Sequence, residues 1–88
     1  MCGIENIKVL AEVNGRLIHS LVYFIQGLSS QVFLANKDRT VNAKSILGVL
    51  SLGLTKGDDV QVSVVNDNID IANDELKKII EYFGELGG

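Results

Sequence analysis

Apolar residues in this chain change their spacing repeatedly, and that alternation restricts the fold more than any other feature. From Ile4 to Val13 the period is two: Ile7, Val9, Ala11 and Val13 point one way, Lys8 and Glu12 the other, as in a half-buried strand. Asn14-Gly15 is a turn signal. From Leu17 to Leu28 the spacing becomes helical through Leu21, Phe24, Ile25 and Leu28, with Ser20 and Gln26 facing away and Gly27 and Ser29-Ser30 marking the end. Gln31 to Ala35 and Thr40 to Asn42 read as strands joined across Asn36-Lys37-Asp38-Arg39, a hairpin. Ser45 to Leu52 is a short helix stopped by Gly53, and Thr55-Lys56-Gly57-Asp58 is a turn. Val60, Val62 and Val64 alternate with Gln61 and Ser63 in a fourth strand that Asp67-Asn68 breaks. Asp70 to Leu86 is the longest amphipathic helix, with Ile71, Leu76, Ile79, Ile80 and Phe83 as its stripe, and Gly87-Gly88 end the chain.

The element order is therefore β-α-β-β-α-β-α. Strands with one apolar face need a cover, and helices with one apolar stripe need a sheet. The arrangement that meets both needs is an α+β open-faced sandwich: a four-stranded, mainly antiparallel sheet with three helices on one face. Eighty-eight residues make one domain, 1–88, and a chain of that length buries roughly two-thirds of its unfolded surface, enough for one core.

Composition narrows the function classes. The net charge of -3 and the scattered basic residues, with Lys77-Lys78 the only adjacent pair, argue against a nucleic-acid partner. The lone Cys2 excludes an internal disulfide or a cysteine metal cluster and reads as a frayed terminal thiol. No apolar run has the length of a membrane span, and no basic stretch precedes an apolar one at the N-terminus, so a cytoplasmic protein is expected. Asp58-Asp59, Asp67, Asp70, Asp74 and Glu75 match no calcium loop. Asp58-Asp59 reads as turn chemistry, Asp70 or Asp74 suits the start of the last helix, and Glu81 and Glu85 read as a solvated face; no metal or cofactor is expected.

One polar residue draws attention. Ser45 stands at the head of a short apolar helix, where its hydroxyl can cap an unpaired backbone N–H. A phosphate there would meet the positive end of the helix and the neighbouring Lys44, which makes Ser45 a candidate switch as well as a candidate cap. If Val49 and Leu52 face the sheet, then Ile46, Leu47 and Leu50 are left partly outward, an apolar patch beside an ionic switch. Gly48 lowers helix propensity by roughly 1 kcal/mol, so its place there implies close approach of another surface or relief of local crowding.

The run Val41-Asn42-Ala43-Lys44-Ser45-Ile46-Leu47-Gly48-Val49-Leu50-Ser51-Leu52-Gly53-Leu54, with Val32-Phe33-Leu34 before it and the element order around it, resembles the HPr family. These are small phosphocarriers of the bacterial sugar phosphotransferase system, and the resemblance is closest to the Crh-type branch that serves carbon catabolite regulation. It implies a non-enzymatic protein. It further implies that Ser45 is a regulatory phosphorylation site for an HPr kinase, and that Ile46, Leu47 and Leu50 dock on a transcriptional regulator. The family's other motif, Asn-Gly-Leu-His-Thr-Arg-Pro-Ala, is altered to Asn14-Gly15-Arg16-Leu17-Ile18-His19-Ser20-Leu21. Alignment on Asn14-Gly15 and Phe24 puts Leu17 at the phosphoacceptor histidine, His19 at the arginine and Ser20 at the proline.

Leucine has no nucleophilic nitrogen, so the expectation is a regulatory phosphoprotein or binding module without the usual phosphoacceptor. The alternative is a working phosphocarrier, partnered by phosphotransferase-system enzymes, in which His19 accepts phosphate and Arg16 supplies the cation. His19 lies two residues beyond the expected place, roughly 200° around a helix. A third reading takes Gly87-Gly88 as the tail of a ubiquitin-like sulfur carrier, but such tails follow a strand and this one follows a helix.

Overall fold

The computed structural model describes residues 2–10 and 12–87, with Cys2 and residues 84–87 given by backbone alone. The expectations for Ala11, for the Cys2 thiol, for the Glu85 side chain and for Gly88 lie outside the described residues. The elements are β1 (Cys2–Lys8), α1 (Gly15–Gln26), β2 (Gln31–Asn36), β3 (Arg39–Asn42), α2 (Ile46–Ser51), β4 (Asp59–Val65) and α3 (Ile69–Gly87). The sheet order is β1-β4-β2-β3, and every neighbouring pair is antiparallel. This is the α+β open sandwich that the periodicity demands.

Burial follows the two periods. In β4, Val60, Val62 and Val64 are fully buried while Gln61 lies exposed on the uncovered face. Val32 and Leu34 of β2 join them, opposite Val64 and Val62 in register. The helices cover this layer with Ile18, Leu21, Val22 and Ile25 from α1, Val49 from α2, and Ala72, Leu76, Ile79 and Phe83 from α3. Each valine, leucine, isoleucine or phenylalanine among them contributes about 1.5–3 kcal/mol by leaving water.

Three expectations need correction. β1 ends at Lys8 rather than Val13, because its partner runs out. Lys8 pairs with Asp59, the first residue of β4; Val9 then exchanges bonds with Asp58 and Gly57, and the left-handed Gly57 (φ 95°) turns the partner chain away. Val9 is buried and Val13 half-buried, so the apolar alternation beyond Lys8 reports a loop packed on the core. Second, Asn14-Gly15 opens α1 instead of forming a separate turn: Asn14 is its N-cap and its Oδ1 accepts the Leu17 N–H at 2.8 Å. The helix accordingly spans Gly15–Gln26, and Leu28 lies past its end.

Third, Ile71 is 40 % exposed and does not belong to the α3 stripe, whereas Glu75, one turn on, is 7 % exposed and does. The exchange has a physical cause. The Glu75 carboxylate accepts the backbone N–H groups of Ser29 (2.9 Å) and Ser30 (2.8 Å) and both serine hydroxyls, while Asn66 Nδ2 donates to the buried Ser30 Oγ at 2.9 Å. Those donors follow α1 and turn the chain into β2. Burial alone would push the Glu75 carboxyl up, but the combined hydrogen bonds from Ser30 and Ser29 outweigh it and hold the group below its ordinary value of 4.5.

A carboxyl whose folded value lies below its unfolded one stabilises the fold fully above the unfolded value. That contribution disappears as pH falls from about 4.5 through the lowered folded value. Glu75→Gln should therefore cost about 1.5–3 kcal/mol at pH 7, the range for hydrogen bonds to a charged group. Urea unfolding at pH 7 and at stepwise lower pH should show the two proteins converging in acid; a gap that stays constant would contradict the assignment.

Candidate functional site

The local fold around Ser45 is fixed from several sides. Ala43 N–H donates to Val32 O at 2.8 Å, Ser45 N–H to Asn42 O at 3.1 Å, and Lys44 N–H to Asn42 Oδ1 at 2.9 Å. Ser45 then adopts extended backbone angles (φ -102°, ψ 115°) and its Oγ accepts the Gly48 N–H at 3.1 Å, so it is the N-cap of α2. Its side chain is exposed. Val49 and Leu52 face the core, Leu47 is 80 % and Leu50 46 % exposed, and Ile46 is half-buried against the core. The outward apolar surface of α2 is thus made by Leu47 and Leu50, with Ile46 at its margin.

Gly48 relieves crowding within α2. A Cβ on it would lie 3.3 Å from Ser45 Cβ and Oγ and 3.4 Å from Val41 Cβ. The cap and β3 occupy the space that any larger residue would need. The left-handed Gly53 (φ 61°) follows the helix end.

α1 and α2 run antiparallel. Gln26, the last residue of α1, donates from Nε2 to Lys44 O at 2.9 Å, next to the α2 start. At the other end a groove of about 190 Å³ is lined by Asn14, Gly15 and Ile18 of the α1 start and by Val49, Leu50 and Gly53 of the α2 end, among others. Arg16 and His19 are exposed on the first turns of α1 and Leu17 is half-buried there. His19 precedes Gln26 by two turns, about 10 Å along the axis, so the two candidate phosphate acceptors occupy opposite ends of the pair.

Lys44 is not held toward Ser45. Its Nζ donates to Leu28 O at 2.9 Å, past the C-terminal end of α1. Ser20, at the place the resemblance gives to proline, hydrogen-bonds the Tyr82 hydroxyl, and the Tyr82 ring stacks on Phe24 with centroids 4.5 Å apart. This α1–α3 contact had no sequence signal, since Tyr82 lies beside the α3 stripe and Ser20 on the polar side of α1. The Asp58 carboxylate accepts Thr55 N–H at 2.9 Å, which chiefly holds its pKa below the ordinary 3.8; it closes its own turn. Among the described residues no three His, Cys, Asp or Glu side chains gather as a metal site, and no helix is long and apolar enough to cross a membrane.

The sheet order and the three helices make an open-faced α+β sandwich, with the capped α2 start and the α1 start at its surface. The family model described as the PTS HPr component phosphorylation site matches residues 6–82, and the chain belongs to the HPr family. HPr proteins are phosphocarriers, not enzymes, and they interact with proteins of the phosphotransferase system. The chain is similar to HPr-C-His from Thermoanaerobacter tengcongensis: 28% identity over 98% of this chain and 97% of that one, with TM-score 0.78. It is also similar to the catabolite repression containing protein Crh of Bacillus subtilis, at 26% identity, 91% and 88% coverage, and TM-score 0.72. The phosphocarrier HPr of Bacillus anthracis str. Ames shares the fold, with 22% identity, 92% and 95% coverage, and TM-score 0.81.

Two substitutions test the geometry of the cap. Ser45→Ala should destabilise by about 1 kcal/mol through loss of the bond to Gly48 N–H. Gly48→Ala, which in an open helix gains about 1 kcal/mol, should give no rise in thermal midpoint, because the new methyl presses on the cap and on Val41. Calorimetry of both variants checks the pair; a clear stabilisation by Gly48→Ala would contradict the crowding.

Proposed function

We propose that this chain is a regulatory, non-catalytic HPr-family protein switched by phosphorylation of Ser45. The observation that carries the reading is the joint state of two helix starts. At α2 an exposed serine hydroxyl caps a helix that presents Leu47 and Leu50 to solvent. At α1 the position that the resemblance assigns to the phosphoacceptor histidine holds Leu17. Phosphotransfer through histidine needs a ring nitrogen in line with phosphorus and donors for the spreading charge, and leucine supplies neither.

A phosphate on Ser45 adds about -1.5 to -2 charges and three acceptor oxygens. At a helix start this charge favours the existing helix by about 0.3–1 kcal/mol, so the switch acts without refolding the domain. It changes the surface from an apolar patch to an apolar patch beside a dianion, which suits a partner that pairs an arginine with an apolar pocket. The proposed partners are an HPr kinase that writes the mark and a transcriptional regulator that reads it, in the cytoplasm of a bacterium and in the service of carbon catabolite regulation.

A second reading remains specific enough to test. His19 and Arg16 are both exposed on the first turns of α1, so His19 is accessible to a phosphoryl donor. The sulfur-carrier reading has weaker support, because α3 continues through Gly87 and no strand precedes the tail.

Treatment with HPr kinase and ATP should place an acid-stable phosphate on Ser45, located by mass spectrometry, with none on Ser45→Ala. Incubation with phosphoenolpyruvate and the first phosphotransferase-system enzyme should leave the protein unmodified. Acid-labile phosphate on His19 would instead establish the carrier reading.

A further inference from the structure

All three polar atoms of Lys44 are engaged. Its N–H donates to Asn42 Oδ1, its carbonyl accepts Gln26 Nε2, and its Nζ donates to Leu28 O, each at 2.9 Å. Two of these bonds go to the C-terminal end of α1, and the next two residues after Leu28 are the serines held by Glu75. The residue immediately before Ser45 is thus the clasp between the α2 start and the α1 end.

The two holds differ in kind. The Gln26 bond fixes the Lys44 backbone, whereas the Nζ bond is made by a flexible four-carbon stem. The ammonium rests on one neutral carbonyl, that of Leu28, two residues past the end of α1. A phosphate on the adjacent Ser45 would present about -1.5 to -2 charges. At comparable separations a phosphate oxygen is the stronger acceptor for an ammonium, because the bond is then charge-assisted on both sides.

We propose that Lys44 is an internal lever: phosphate on Ser45 draws its ammonium off Leu28 O, and the turn that leaves α1 loosens while the Gln26 bond keeps the α2 start in place. This rests on the reading of Ser45 as a phosphate acceptor and adds to it a second consequence of the same mark, felt at the α1 end. Partners that touch both helices would meet a changed α1 end as well as a changed charge. No bond is made or broken covalently in the step; one charge-assisted hydrogen bond is exchanged for another.

The test uses the full chain with phosphoserine installed at position 45 during translation, so no kinase is needed. The readouts are the Leu28 carbonyl carbon shift and the amide exchange rates of Gly27 and Leu28. In the phosphorylated protein the carbonyl shift should move to the value seen in unmodified Lys44→Met, and exchange should rise several-fold in both. Phosphorylated Lys44→Met should show no further change at Leu28. Lys44→Arg, which keeps the charge, should respond to phosphate as the natural chain does and covers the case of a poorly folded methionine variant. A Leu28 carbonyl that keeps its unmodified shift after phosphorylation overturns the lever, as does an equal response in Lys44→Met. Failure of a kinase to modify Ser45 would bear on the switch alone, so the two failures are read separately.

Discussion

The Glu75 carboxylate joins elements that are distant in the chain. Glu75 sits where an apolar residue would complete the α3 stripe, and it receives the backbone and hydroxyl donors of Ser29 and Ser30. The chain must leave α1 and enter the buried strand β2 within a few residues, and a turn so close to the core cannot leave its N–H groups to water. The longest helix supplies the acceptor from across the molecule. α1, α3 and the start of β2 are thereby joined by an interaction with a fixed geometry, which apolar contact alone does not provide.

From that anchor the site is built outward. The end of α1 is held by Glu75 through the Ser29-Ser30 turn, and the start of α2 is held to the end of α1 by Gln26 and Lys44. Ser45 inherits its position from this series, and its own hydroxyl then satisfies one orphan donor in the first turn of α2, the Gly48 N–H. Gly48 completes the arrangement by leaving room for the cap. The exposed Leu47 and Leu50 are set by helical phase once Val49 and Leu52 are committed to the core.

Most of this architecture was legible in the sequence. The period changes gave the element order, and Val60, Val62 and Val64 gave the central strand's buried face. Ser45 read as a cap and is one. What escaped were contacts between residues distant in the chain. By sequence Glu75 is one member of an acidic cluster and Ser29-Ser30 a helix end, because their partnership exists only after α3 has docked. Ile71 fitted the stripe by spacing, yet it was displaced by a polar residue with buried partners. The alternation carries β1 past Lys8 because a loop packed on a core shows the same apolar pattern as a strand. Lys44 looked available to Ser45 because adjacency in sequence says nothing about which carbonyl a long side chain meets.

The sheet order carries a consequence for how the molecule is made. β4 lies between β1 and β2, and it pairs Cys2 with Val65 at one end and Lys8 with Asp59 at the other. A growing chain therefore holds β1 without a neighbour until most of its length has been synthesised. Of the sheet's pairings only the β2–β3 hairpin is local, closing through Asn36 and Arg39. Such long-range pairing must meet its loop-closure cost before any contact offsets it, which slows folding relative to a sheet of local hairpins. The valines that form the centre of the finished core are the same residues that the unfinished chain lacks.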